Sequence, residues 1–181
     1  ETGPLYRFAP IAMFATFIGS VPLGIARHAL DEFVAISQTK VPVLSQAVLA
    51  DKPVANAKLG RAKALVESGH AYLRGLLAQQ WEAVCAGQPQ TMADRGALWL
   101  AATHAAHSAV EAIELLYAAG GADSVYATNA LDRCLRDART AVQHICTQEV
   151  NYEVAGRLAS GRVEATMASH WIMDYRGEGV A

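Results

Sequence analysis

Residues 91–121 read TMADRGALWLAATHAAHSAVEAIELLYAAGG, and the spacing of their apolar side chains indicates the fold class. Apolar residues recur three or four positions apart, which is the period of an α-helix. The recurring residues are Leu98, Ala102, Ala105, Ala109, Ala112, Ile113 and Leu116. Gly120 and Gly121 follow them, and glycine is common just past the end of a helix. The stretch predicts one long helix over residues 91–119.

Three other stretches of the chain have the same period. They cover residues 5–38, 53–86 and 129–158, and we expect a bend near Pro22 because proline lacks a backbone donor. Alanine, the residue with the highest helix propensity, supplies 36 of the 181 residues. Short connections at Gln88-Pro89 and Gly120-Gly121 make successive helices antiparallel. We therefore predict an all-α fold, an antiparallel up-down four-helix bundle over residues 1–160, followed by a C-terminal tail over residues 161–181.

Charge and cysteine usage exclude several classes of protein. Lys and Arg number 15 against 17 Asp and Glu, so the net charge of −2 provides no basic surface for nucleic acid. Cys85, Cys134 and Cys146 are an odd number without a C-x-x-C pair, which argues against a disulfide framework or a cysteine zinc site and favours a reducing cytoplasm. Hydrophobic residues make up 52% of the chain, which is high for an isolated domain. We expect part of its surface to be buried in a homodimer or homotetramer, or against other domains.

The first forty residues raise the question of a membrane span. Residues 8–26 run for nineteen positions without a charge, which approaches the length of a transmembrane helix. Pro10, Gly19, Pro22 and Gly24 interrupt this run, and no basic segment precedes it as in a signal peptide. We expect a buried helix and no membrane contact. Because the chain begins with Glu1, we also expect it to be a piece of a longer protein.

Helical bundles often hold di-iron sites, and the spacing of histidines and carboxylates indicates whether a chain can form one. The di-iron template requires two Glu-x-x-His motifs, and this chain has one, at Glu67 and His70. Other histidines and carboxylates fall on the first and third predicted helices: His28, Glu32, His104, His107, Glu111 and Glu114. Since these residues are scattered along their helices, we predict no metal site.

Sequence motifs for nucleophilic catalysis or phosphate loops are missing. There is no G-x-S-x-G elbow and no glycine-rich phosphate loop. Cys134 and Cys146 are expected to be buried structural thiols. The three tryptophans, Trp81, Trp99 and Trp171, are expected to be packing anchors.

The fourth predicted helix carries two stripes of different polarity. Its apolar stripe consists of Leu131, Leu135, Ala138, Val142 and Ile145. Its polar stripe consists of Arg133, Arg136, Asp137, Thr140, His144 and Asn151. The polar stripe is either a solvated face with intrahelical pairs such as Arg133–Asp137, or a functional surface around an imidazole. Spacing alone leaves both open.

The same region carries a family resemblance. Residues 120–126 read GGADSVY, residues 131–140 read LDRCLRDART, His144 follows Arg136 by eight positions, and Gly156-Arg157 comes later. This pattern, with PLYRF at residues 4–8 and GIARHALD at residues 24–31, resembles the C-terminal helical domain of the acyl-CoA dehydrogenase superfamily. It is most similar to the branch of flavin-dependent monooxygenases that hydroxylate p-hydroxyphenylacetate, a phenolic ring of steroid breakdown, or the sulfur of dibenzothiophene. The resemblance covers nearly the whole chain.

The resemblance implies a function and an assignment of residues. In such proteins an N-terminal helical domain and a middle β-domain precede this one, and FAD or FMN lies where the three meet, with reduced flavin supplied by a partner reductase. His144 would be the base that takes a proton from a phenol-like small-molecule substrate while a C4a-hydroperoxyflavin delivers oxygen. Imidazole suits that task because it changes charge near neutral pH. Arg133, Arg136 and Asp137 would brace the Gly120–Gly121 turn and the cofactor phosphates, in part from a neighbouring subunit.

The chain also departs from the dehydrogenase branch of the superfamily. Residues 47–53 lack the Arg-x-x-Phe-Gly signature of that branch, and no motif places its catalytic glutamate. Acyl-CoA dehydrogenation is therefore the second reading. A helical interaction module without chemistry is the third.

Overall fold

The computed structural model describes residues 3–162, and all regular secondary structure in that range is helical. Six α-helices follow one another: α1 (Pro4–Arg7), α2 (Pro10–Thr39), α3 (Pro53–Cys85), α4 (Met92–Gly120), α5 (Ala130–Ala141) and α6 (Val150–Ala159). Short 3-10 turns lie at Leu49–Asp51 and Gly121–Val125. The prediction of an all-α fold is confirmed. Apart from Gly161 and Arg162, the predicted tail lies outside the described residues.

Two of the predicted helices match the structure closely, and local signals explain their ends. α3 begins at Pro53, which suits the first turn of a helix because its missing N–H would have no partner there. α4 begins after Thr91, whose hydroxyl accepts the N–H of Asp94, while the Asp94 carboxylate accepts the N–H of Thr91. At its other end α4 stops at Gly120, and Gly121 has a φ of +69°.

The first predicted helix is interrupted near its start. α1 ends at Arg7, and α2 begins only at Pro10, because the residue before a proline is driven away from helical angles. Phe8 and Ala9 between them are extended and buried. α2 then continues through Pro22 to Thr39.

α4 is the central helix, with α2 and α3 packed against it. Its alanines allow close approach: a side chain at Gly19 of α2 would place Cβ 2.7 Å from the Ala102 carbonyl oxygen. At Gly69 of α3, Cβ would lie 3.2 Å from Ala105 Cα. Small residues at these crossings therefore set the distances between the long helices.

α2 is long and apolar enough to cross a membrane by length and composition, which is weak evidence by itself. Its side chains Ala12, Ala26 and Phe33 are almost completely buried in the protein core. The core helix of a globular domain has the same character. The expectation of a buried helix therefore holds for one side of α2, since 39% of its most apolar stretch is buried. The absence of membrane contact stays a prediction.

The predicted fourth helix over residues 129–158 is wrong as one element. It is two helices, α5 and α6, separated by turns at residues 142–149, which we call the connecting segment. Thr147 causes part of this break, since its hydroxyl donates to the carbonyls of Ala141 and His144. The polar stripe predicted along one helix is therefore wrong too: His144 lies in the connecting segment, and Asn151 is buried on α6.

Candidate functional site

His144, the predicted catalytic residue, lies exposed in the connecting segment. Its Nδ1 accepts the backbone N–H of Cys146 at 3.2 Å. Its ring packs edge-on against Phe14 of α2, with 5.8 Å between ring centroids. The imidazole is thus held on one side by its own chain and on another by an aromatic ring.

The hydrogen bond at Nδ1 assigns the tautomer of His144. An acceptor nitrogen carries no proton, so in the neutral ring the proton lies on Nε2. Nε2 has no hydrogen-bonding partner among residues 3–162. In this arrangement His144 presents a donor at Nε2, and it becomes a base there only when the contact with Cys146 is released.

Apolar side chains stand out from α2 beside His144. Phe14, Phe17 and Val21 are 46%, 58% and 52% exposed, and their spacing of three and four residues places them on one face of the helix. We call these three residues with His144 the aromatic surface. Contiguous exposed apolar side chains are typical of ligand or domain contacts.

A cavity of about 380 Å³ adjoins the aromatic surface at Phe17. Its walls are apolar, with Leu5, Leu77 and Trp81 among them, and Arg74 is the one charged wall residue that residues 3–162 contribute. Trp81 is therefore a half-exposed wall residue, whereas Trp99 is a buried core residue as predicted. Trp171 lies outside the described residues.

The two glycines of the predicted cofactor turn have different surroundings. Gly120 is buried, and a Cβ there would collide with the hydroxyl of Ser124, so packing alone requires glycine. Gly121 is exposed at its positive φ. Only Gly121 therefore offers its backbone to a ligand.

Lys40, which directly follows α2, contacts this turn, and the sequence motifs did not reveal it. Its ammonium donates to the Gly120 carbonyl and forms an ion pair with Asp123 at 2.7 Å. A cation at the C-terminal end of a helix is stabilising because it offsets the exposed carbonyls. Lys40 and Gly120 are 80 residues apart, and no local pattern links such distant positions.

The three predicted phosphate-site residues of α5, Arg133, Arg136 and Asp137, are all exposed. Arg136 forms an ion pair with Asp132 at 2.9 Å, and no Arg133–Asp137 pair is formed. Arg133 has no ion-pair partner within the described part of the chain. A free guanidinium is a suitable donor for a phosphate, so this helix face fits a phosphate-bearing cofactor such as a flavin nucleotide.

The predicted residues do not form one pocket. The Gly120–Gly121 turn precedes α5 and His144 follows it, so the 12 residues of α5 separate them. At 1.5 Å per residue that helix is about 18 Å long. A ligand that contacts both the turn and His144 must therefore be elongated.

Two carboxylates of α4 that the metal template would use form ion pairs instead. Glu111 pairs with Arg61 and Glu114 pairs with Arg139, each at 2.6 Å. Within residues 3–162, no three His, Cys, Asp or Glu side chains cluster closely enough to hold an ion. The absence of iron or manganese from the protein stays a prediction.

The buried cysteines are structural, as predicted. Cys134 and Cys146 are 2% and 0% exposed, and burial raises the pKa of the Cys146 thiol to about 11. Burial is also the main reason that the pKa of Cys134 is raised. Both thiols are therefore neutral near pH 7 and unsuited to nucleophilic attack.

Comparison with known proteins agrees with this architecture. The chain is 31% identical over 159 residues to indole-3-acetate monooxygenase of Pseudomonas putida, an alignment covering 88% of this chain and 41% of that protein. The chain thus spans about two fifths of the length of this curated relative.

Solved structures share the fold at lower identity. XiaF from Streptomyces sp., in complex with FADH2 and glycerol, superposes with a TM-score of 0.83 at 24% identity, over 91% of this chain and 43% of that one. The 3-HSA hydroxylase from Rhodococcus sp. RHA1 gives a TM-score of 0.82 at 21% identity, over 92% of this chain and 43% of that one.

A family model also matches most of the chain. The model described as acyl-CoA dehydrogenase, C-terminal domain, matches residues 16–149, which begin within α2 and include α3, α4, α5 and His144. The chain belongs to the family of acyl-CoA dehydrogenase C-terminal domains.

Proposed function

We propose that this chain is the C-terminal domain of a flavin-dependent monooxygenase that hydroxylates an aromatic substrate. The aromatic surface carries the proposal, because it combines exposed rings with an imidazole whose Nε2 is open to a ligand. Phe14 and Phe17 suit a flat aromatic ring, and His144 suits a hydroxyl or ring N–H at its edge. Similarity to indole-3-acetate monooxygenase supports the same class of substrate.

In this proposal, residues at the two ends of α5 contact different parts of the cofactor and substrate. Arg133 and the exposed backbone of Gly121 bind cofactor phosphates, with Arg136 and Asp137 on the same helix. The aromatic surface, beyond the other end of α5, packs against the rings of cofactor and substrate. A reduced flavin, when bound, supplies two electrons to dioxygen, so that one oxygen atom enters the substrate and the other leaves as water.

His144 accepts the proton of the substrate in this proposal. Its ring first gives up the hydrogen bond from Cys146, so that the ring proton can lie on Nδ1 and the lone pair of Nε2 faces the substrate. The loss of one neutral hydrogen bond costs about 1 kcal/mol, which thermal motion supplies readily. Proton removal makes the ring electron-rich and hence more reactive toward an oxygen donor.

The proposal extends to cofactor, assembly and compartment. FAD is favoured over FMN because XiaF, a neighbour in structure, was solved with FADH2. A separate reductase supplies the reduced flavin, and the apolar exposed side chains of α2 are covered by other domains or subunits of a homo-oligomer. Three unpaired cysteines agree with the reducing cytoplasm.

Acyl-CoA dehydrogenation is the second candidate function, because the matching family model carries that name. The two reactions differ in the fate of oxygen, so the test uses the full-length protein with ¹⁸O₂. We expect ¹⁸O in the product when reduced FAD and an aromatic substrate such as indole-3-acetate or a phenol are supplied. Desaturation of an acyl-CoA without any ¹⁸O-labelled aromatic product would contradict the proposal and favour the dehydrogenase.

A further inference from the structure

A buried cluster of hydrogen bonds lies beneath the connecting segment. Thr103 of α4 is 0% exposed and Asn151 of α6 is 8% exposed. The Asn151 side-chain amide donates to Thr103 Oγ1 and to the Ile145 carbonyl, both at 3.1 Å. Thr103 Oγ1 in turn donates to the Cys146 carbonyl at 3.3 Å. Two consecutive carbonyls of the connecting segment are therefore held by side chains from two helices.

The direction of the Thr103 hydroxyl is unusual for a threonine inside a helix. Such a hydroxyl commonly donates to a carbonyl of its own helix, four residues earlier. Thr16 of α2 does this, donating to the Ala12 carbonyl at 2.9 Å. Thr103 donates instead to a carbonyl 43 residues away, which links α4 to the connecting segment.

A second anchor holds the next residue of the segment. His107, one turn beyond Thr103 on α4, bonds through Nε2 to the Thr147 carbonyl at 2.8 Å. The Thr147 hydroxyl reaches the His144 carbonyl at 3.0 Å. The carbonyls of residues 145–147 are thus all bonded to side chains, which replaces the hydrogen-bond ladder that a continuous helix would have supplied.

We propose that Thr103 and Asn151 are positioning residues for His144. By fixing the Ile145 and Cys146 carbonyls they fix the peptide unit around the Cys146 N–H, the group that His144 Nδ1 accepts. The orientation of the imidazole over Phe14 follows from that contact. The catalytic part of this inference rests on the proposed function of His144, whereas the structural part does not.

Hydrogen exchange of the full-length protein tests the structural part without any turnover. In Thr103→Val, which keeps the shape of threonine and removes its hydroxyl, we expect the amides of residues 142–149 to exchange about tenfold faster. Thr16→Val is the matched control, since it removes a buried hydroxyl that bonds only within α2, and it should leave those amides unchanged. Unchanged exchange in Thr103→Val, or equal acceleration in Thr16→Val, would overturn the proposal.

Conservative and independent variants guard against a folding defect. Thr103→Ser restores the hydroxyl and should restore slow exchange. Asn151→Ala removes the other half of the cluster and should reproduce the Thr103→Val pattern. A Thr103→Ser protein that exchanges as fast as Thr103→Val would contradict the role of the hydroxyl.

Steady-state kinetics of the full-length enzyme test the catalytic part. The contact with Cys146 holds the imidazole over Phe14 while the substrate docks and is released before proton transfer. We therefore expect Thr103→Val to raise the KM of the aromatic substrate about tenfold with little change in kcat. If Thr103 acts through His144, the same change made in His144→Asn enzyme should have no further effect on KM. A full additional rise in the KM of that double variant would overturn the positioning role.

The outcomes separate this inference from the proposed function. Normal turnover in His144→Asn would contradict the proposed function. Strongly reduced turnover in His144→Asn together with a normal KM in Thr103→Val would contradict the positioning role alone.

Discussion

The crossing of α2 and α3 with α4 contrasts with the region from α5 to α6. The first is regular, with alanine and glycine packed so closely that Cβ at Gly19 would lie 2.7 Å from backbone. The second is two short helices joined by the connecting segment, whose carbonyls bond to side chains of α4 and α6. Packing of small residues determines the first region. Specific polar contacts determine the second, and that region carries the imidazole proposed for catalysis.

Each of the two regions contains an isoleucine, and replacing each one compares how much side-chain packing contributes to stability there. Ile113 of α4 is 0% exposed, and Ile145 of the connecting segment is 37% exposed. Ile113→Ala should lower the free energy of unfolding by about 2–5 kcal/mol, because it removes buried apolar surface and leaves a cavity. Ile145→Ala should lower it by less than about 1 kcal/mol. Urea unfolding followed by circular dichroism measures both, and equal losses would show that the regions do not differ in packing.

Replacement of Gly19 of α2 tests whether the close crossing of α2 and α4 requires a residue without a side chain. Gly19→Ala should destabilise the protein by about 1–3 kcal/mol, since the new Cβ meets the Ala102 backbone, which cannot turn aside. Gly24→Ala on the same helix meets no atom within 4 Å and should stabilise by about 0.5–1 kcal/mol through helix propensity. Thermal unfolding of both variants gives the two signs. Stabilisation by Gly19→Ala would mean that the helices are not in close contact there.

The rate at which a thiol reagent labels the buried cysteines reports local opening of the regions that contain them. We expect this rate to differ less between regions than the stability effects above. Cys85 is exposed and should react with a thiol reagent at once under native conditions. Cys146 lies in the connecting segment, and Cys134 lies within α5, both buried. Because segments with few regular hydrogen bonds open more readily, Cys146 should react several-fold faster than Cys134. Peptide mass spectrometry over time measures the order, and faster labelling of Cys134 would contradict it.

Alkaline pH should increase the labelling of Cys146. Burial raises the pKa of this thiol to about 11, so the thiolate forms in the folded protein only at high pH. In the unfolded chain the thiol ionises nearer pH 8.5. Because the pKa is higher in the folded state, the folded state loses stability as the pH rises from about 8.5 toward 11. Labelling rates measured between pH 8 and pH 10 should therefore rise together with opening of the segment. A rate for Cys146 that is independent of pH would contradict this.

Sequence periodicity predicted the long helices because their ends carry local signals. Pro53, the Thr91–Asp94 capping box and Gly121 act within a few residues of the ends that they define. The break after Ala141 has no such signal: residues 142–149 contain neither proline nor glycine, and Val142 and Ile145 continue the helical period. Instead, side chains of α4, about 40 residues away in sequence, form hydrogen bonds with carbonyls of the connecting segment and so stabilise its non-helical path.

In the candidate site, too, local sequence patterns reveal some residues, whereas residues that act through distant contacts are missed. His144 and the residues of α5 were found through a motif, which does not depend on geometry. Thr103 and Lys40 escape motif analysis, because each donates to a carbonyl that is distant in sequence. For Asn151 the partner that is distant in sequence is the Thr103 hydroxyl. The predicted polar stripe that includes Asn151 exists only if α5 and α6 form one continuous helix, and they do not.

Replacement of His144 in the full-length enzyme tests the central claim most directly. His144→Asn should retain fold and flavin binding, because an amide fills similar space and the phosphate contacts that we propose lie at the other end of α5. Hydroxylation should fall by roughly a hundredfold or more, with oxygen consumption diverted to hydrogen peroxide. His28→Asn, an exposed histidine beside Glu32 on α2, is the matched control and should be fully active. Coupled hydroxylation by His144→Asn at a rate close to that of His28→Asn would contradict the account.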